Sequence, residues 1–108
     1  MTVRELTEAC GFAPIVLADP DRTVSGCYVG DLLSWVMGRA QQDNAWITIM
    51  TNVNVVAVGA LADVSVIVLA EGVKLTQPVI DCAEARGVNV VSAKVPAYEA
   101  AVLIHGAI

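Results

Sequence analysis

Residues Ala45–Gly72 read AWITIMTNVNVVAVGALADVSVIVLAEG, and this stretch decides the fold. Two apolar runs, Trp46–Met50 and Val64–Ala70, have the length and composition of buried strands. A third apolar segment, Val55–Ala62, lies between them. The polar knot Thr51-Asn52-Val53-Asn54 breaks the first run from that segment. Asn54 suits the start of a helix, because its side-chain oxygen can accept from the free N–H groups of the first turn. The order strand, cap, buried helix, strand is a βαβ unit, and it commits the two strands to a parallel sheet.

Elements of the same kind extend in both directions. Towards the N-terminus, Thr2 and Glu5 have the spacing of a capping box, and Gly11 suits the left-handed residue that closes a helix over Val3–Cys10. Ile15–Ala18 reads as a strand, Asp19–Gly26 as a polar loop and Cys27–Val29 as a short strand. A second helix opens at Gly30-Asp31, where Asp31 can cap, and carries Leu32, Leu33, Val36, Met37 and Ala40 on one face. Towards the C-terminus, Thr76 caps a fourth helix, Pro78 sits in its first turn and Gly87 ends it. Val88–Val91 is a fifth strand, and Pro96 starts a last helix. The expectation is a single domain over residues 1–108. It is a three-layer α/β fold, with a mostly parallel sheet of four or five strands and helices on both faces.

Composition narrows the function classes. The chain has 108 residues, 56% of them apolar and 16% charged, and a mean hydropathy of +0.68. A chain so apolar gains too much by folding to be disordered. Its longest unbroken apolar run is Val55–Ala62, far short of the ~20 residues that span a bilayer. No membrane partner is expected. Net charge is −5 and the six cations are scattered, so no basic stripe exists to neutralise a nucleic-acid backbone. Cys10, Cys27 and Cys82 are far apart and odd in number, which fits reduced core residues of a cytoplasmic protein rather than a disulfide or metal framework. The apolar excess, above all in the third helix, calls for cover from a second subunit, and a homodimer is expected.

The segment YVGDLLSWVMGR (Tyr28–Arg39), with Trp46–Gly72, Pro78–Gly87, VNVVSAKV and Tyr98-Glu99, resembles the small stand-alone proteins of the DRTGG domain family. The resemblance covers nearly all of the chain after Gly26. It implies a domain similar to the N-terminal domain of HPr kinase/phosphorylase. It also implies a regulatory role beside a partner enzyme, since related domains sit next to phosphotransacetylase domains and inside pyrophosphatases with CBS modules. This chain departs from the pattern at two places. The family's Asp-Arg falls on Thr51-Asn52, and its Thr-Gly-Gly falls on Ala70-Glu71-Gly72. The Asp21-Arg22-Thr23 that echoes the family name lies in an unrelated loop.

No phosphate loop, nucleophile elbow or metal spacing is present, so no catalytic residue, metal ligand or cofactor is assigned and the chain is expected not to be an enzyme. In an open parallel sheet, ligands bind beyond the carboxyl ends of the strands. Four loops are expected there: Asp19–Ser25, Thr51–Asn54, Glu71–Lys74 and Ser92–Lys94, bringing Arg22, Lys74 and Lys94. The candidate ligand residues are Thr51, Asn52, Asn54, Glu71 and Gly72, with the first turn of the third helix supplying N–H groups. The expected role is a sensor of a small anionic metabolite or nucleotide. The alternative is a ligand-free subunit that docks a partner enzyme through an apolar face.

Overall fold

In the computed structural model, which describes residues 1–108, five strands join one sheet. They are β1 (Ala13–Val16), β2 (Cys27–Val29), β3 (Ala45–Thr48), β4 (Val66–Leu69) and β5 (Val90–Ser92). The helices are α1 (Val3–Cys10), α2 (Leu33–Arg39), α3 (Val53–Ala62), α4 (Gln77–Ala85) and α5 (Ala97–Ala107). The strand order is β1-β5-β4-β3-β2, so the four parallel strands are laid down one beside the next, with α2, α3 and α4 as their crossovers. The α/β class and the mostly parallel sheet are as the sequence pattern predicts.

Helix ends follow local chemistry. Around α1 the Glu5 N–H donates to Thr2 Oγ1 at 3.2 Å and the Thr2 N–H to Glu5 Oε1 at 2.9 Å, while Gly11 closes the helix with φ +68°. The carboxylate of Glu5 is held below the usual glutamate range by those bonds. At α3 the cap is Asn52, not Asn54. Asn52 Oδ1 accepts from the Asn54 N–H at 3.0 Å, so the helix begins two residues earlier than its apolar stretch suggests. Asp31 does not cap α2, which starts at Leu33 with no side-chain cap. Its carboxylate instead accepts from Thr48 Oγ1 at 2.8 Å and the Ile49 N–H at 3.0 Å, sealing the end of β3.

Every residue of β3 and β4 is buried, and two separate cores lie on the two faces of the sheet. Val3 and Leu6 of α1 pack with Ala100 and Ile104 of α5 against Ile47, Val66 and Val68. On the other face α2, α3 and α4 cover Trp46, Ile67 and Leu69. Helix α3 lies between α2 and α4, which cover much of its apolar surface, and its outer stripe of Val53 and Leu61 remains in solvent.

The first strand departs from expectation in direction. It is antiparallel to β5, with Pro14 accommodated on this edge strand and an irregular register between Pro14 and Val16. The chain therefore leaves β1 at the amino edge of the parallel strands. From there residues 17–26 run across the whole width of the sheet to reach β2. This strap is fastened to each strand start in turn. Asn89, just before β5, bonds both backbone groups of Asp19, accepting from its N–H at 2.8 Å and donating to its carbonyl at 2.7 Å. Ser65, just before β4, donates to the Thr23 carbonyl. Asn44, just before β3, donates to the Ser25 carbonyl at 2.7 Å. Arg22 clamps Asp43 at 2.9 Å and Asp63 at 2.8 Å, two residues held at positive φ of 66° and 58°.

The strap yields a prediction with an order of magnitude. Asn89 is 2% exposed and its amide makes three hydrogen bonds, so Asn89→Ala should cost roughly 2–3 kcal/mol by depriving the buried Ser65 carbonyl and the part-buried backbone groups of Asp19 of their partner. Arg22→Ala, at a partly solvated ion pair, should cost about 1 kcal/mol. Urea denaturation of both variants measures the order, and a larger loss at Arg22 would overturn it.

Candidate functional site

The two edges of the parallel sheet are finished differently. At the amino edge the strap ties off the backbone, and Arg22 belongs there. Its loop, Asp19–Ser25, lies at the end of the sheet opposite to the one its place after β1 suggests, because β1 runs backwards. The carboxyl edge is formed by the segments after β3, β4 and β5, that is Thr51–Asn54, Glu71–Lys74 and Ser92–Lys94.

The segments after β4 and β5 leave in opposite directions. That after β4 leads to α4 on one face, while that after β5 leads to α5 on the other. Neighbouring strands whose connections diverge in this way open a crevice at their carboxyl ends. Here the crevice is bridged low down. The Glu71 N–H donates to the Val95 carbonyl at 2.9 Å, and the Gly72 N–H to the Ala93 carbonyl at 3.0 Å. Glu71 and Gly72 form the tip of a tight turn, with φ of 62° and 66°. Gly72 owes its identity to that left-handed backbone rather than to lack of room, since the nearest atom to an added Cβ would be Lys94 Cα at 4.0 Å.

Beside this turn lies a cavity of about 370 Å³, lined by Ile15, Gly72, Lys74, Leu75, Ile80, Ser92 and Lys94 among others. Gly72 is the one candidate residue that the cavity reaches. Thr51, Asn52 and Asn54 stand one strand away, beyond the end of β3, and Glu71 projects at the turn. Thr51–Asn54 and Glu71-Gly72 thus end adjacent strands in register, without a hydrogen bond between them. Asn52 is committed to capping α3. Lys74, Lys94 and Ser92 line the cavity, and the sequence placed their loops at this edge without bringing the three together. What unites them is the pairing of β1 with β5, which sets Ala13 opposite Ser92.

His105 is exposed near the end of α5 and does not line the cavity. Cys27 lies on the β2 edge strand, where desolvation of its thiol pushes it up to about 11, and Cys10 is raised by the same cause. Both therefore stay protonated near neutral pH.

Fold and edge together define a three-layer α/β domain with one edge tied off by the strap and one open edge, where Lys74 and Lys94 line a cavity. No protein-family profile matches the chain, and no curated protein matches its sequence. Among solved structures the fold is similar to the CBS and DRTGG domains of the regulatory region of a Clostridium perfringens pyrophosphatase, a structure determined with its activator, diadenosine tetraphosphate. The TM-score is 0.73 at 13% identity, over 95% of this chain and 45% of that one. The chain thus spans less than half the length of that regulatory region, and the likeness supports a DRTGG-like fold.

The cap assignment can be checked directly. Asn52→Ala should cost about 1 kcal/mol through loss of the α3 cap, and Asn52→Asp should recover most of it. Thermal denaturation of the two variants reads the difference, and an unchanged midpoint for Asn52→Ala would remove Asn52 from the helix end.

Proposed function

We propose that this chain is a non-catalytic regulatory module that senses a small anionic metabolite or nucleotide at the carboxyl edge of its sheet. The observation that carries the reading is the contrast between the two edges. The amino edge spends its polar groups on the strap, whereas the carboxyl edge keeps an open cavity and two lysines without acidic partners. The fold it shares with a regulatory region that binds a nucleotide activator supports the same reading. In this proposal Thr51, Asn54, Glu71 and Gly72 border the bound ligand, and Asn52 holds α3 in place beside it. Glu71 disfavours a highly charged polyphosphate.

A thermal-shift screen against AMP, ATP and acetyl phosphate tests this. A ligand at a hundred times its dissociation constant adds about 2.7 kcal/mol, a rise of roughly 10 °C for a domain of this size. A flat response to all three sinks the sensing role.

A second reading, an interaction subunit, has an observation of its own. Strand β2 is an edge strand, and its pairing with β3 turns the backbone groups of Cys27 and Val29 outward. Around that edge the side chains of Val29, Leu32, Trp35 and Ile49 are about half exposed. A second copy fits best, because two such edges meeting about a two-fold axis satisfy each other's outward groups and bury these side chains. Light scattering should then give twice the 11.3 kDa chain mass, and Leu32→Glu should return the chain mass. A wild-type chain that stays at 11.3 kDa at micromolar concentration excludes the dimer.

A further inference from the structure

Three of the six cations are already engaged. Arg4 reaches Asp21 at 3.4 Å, Arg22 clamps Asp43 and Asp63, and Arg39 stacks 3.8 Å over the Trp35 ring. Lys74, Arg86 and Lys94 have no such partner. Two of these three line one cavity, that of about 370 Å³ beside the Gly72 turn. In a chain of net charge −5, two lysines without an ion-pair partner thus line the same hollow, and no acidic residue lines it with them. Ser92, at the end of β5, lines the same cavity, and its hydroxyl makes no hydrogen bond to the protein. The remaining wall is apolar, formed by Ile15 of β1, Leu75 before α4 and Ile80 within it.

We propose that this cavity binds a phosphomonoester with an apolar body. Its phosphate would sit between Lys74 and Lys94 with Ser92 donating to it, and its carbon skeleton would lie against Ile15, Leu75 and Ile80. The assignment rests on the ligand-sensing reading above, gives that ligand a chemical class, and moves it from the Thr51–Asn54 side of the carboxyl edge to the β1/β5 side. Charge selects the head group. A phosphomonoester carries about −1.5 to −2 at neutral pH, which two lysines balance. A carboxylate would leave one lysine unpaired. A triphosphate would bring more negative charge than two lysines offset, next to Glu71. Lysines act as point charges rather than planar forks, so they suit a tetrahedral phosphate approached from two sides. The walls select the body, since Ile15, Leu75 and Ile80 offer no hydrogen bonds to a polar one. The site lies on the β1/β5 side of the crevice and does not involve Thr51–Asn54.

Amide NMR titration with AMP and phenyl phosphate as probes, and inorganic phosphate and ATP for comparison, tests the assignment. The expected result is binding of phenyl phosphate, and more weakly of AMP with its polar ribose, with shifts at Gly72, Lys74, Ser92 and Lys94, still weaker binding of inorganic phosphate and ATP, and no binding of adenosine. Lys74→Gln and Lys94→Gln should each weaken AMP at least tenfold, and the double variant should abolish binding while its spectrum stays that of the folded chain. Monoester binding with shifts confined to Thr51–Asn54, or with unchanged affinity in the double lysine variant, overturns this site and leaves the sensing role standing. A wild-type chain that binds ATP but neither monoester overturns the class. One that binds none of the probes overturns both the site and the sensing role.

Discussion

The strap across the amino edge is the constraint on which the rest of the molecule depends. Ten residues without a helix carry the chain from β1, at one margin of the sheet, to β2 at the other. They can do so only along an edge, because both faces are occupied by packed helices. Once the strap lies there, β1 must end at the amino edge, and its antiparallel direction follows. The strap stays in place because Asn44, Ser65 and Asn89 stand immediately before β3, β4 and β5 and bond to it in succession. It also holds α1, whose Val3 and Arg4 N–H groups donate to the Arg22 and Pro20 carbonyls at 2.9 Å. One polar seam therefore joins the sheet and the α1/α5 layer.

That seam has a consequence for function. Polar groups spent at one end of a small sheet are not available at the other. The amino edge takes the arginine, two aspartates and two asparagines, and at the carboxyl edge Asp31 and Asn52 are likewise engaged while Lys74, Lys94 and the Ser92 hydroxyl are not. Similar chemistry thus has a structural purpose at one end and remains open to solvent at the other. The divergence of the segments after β4 and β5 adds the hollow. The same architecture is found in the CBS and DRTGG regulatory region of a pyrophosphatase. At 13% identity the likeness is one of architecture.

Much of this was legible in the chain itself. The capping box at Thr2 and Glu5, the closing turns at Gly11 and Gly87 and the Pro96 helix start are local signals, complete within a few residues. The apolar runs of β3 and β4 declare strands buried on both faces. Where the local reading slipped, a nearby competitor existed. Asn52 and Asn54 are both good caps, and the backbone at Val53 decides between them. Asp31 is a good cap by type, but the end of β3 offers it a hydroxyl and an N–H. The strap leaves a trace in the sequence, a small polar residue directly before each of three strands: Asn44, Ser65 and Asn89.

By itself, then, the sequence determined which segments are helices and strands, where most of them stop, and that three central strands run parallel. Each of those depends on periodicity, capping or the length of a crossover, all of which are short-range. The tertiary structure alone decided the direction of β1, and with it the edge to which Arg22 belongs and the gathering of Lys74, Ser92 and Lys94 around one cavity. The physical reason is that a four-residue edge strand has the same apolar pattern whichever way it runs. Its direction is settled by where the strap finds hydrogen-bond partners, and those partners lie from 19 to 70 residues away along the chain.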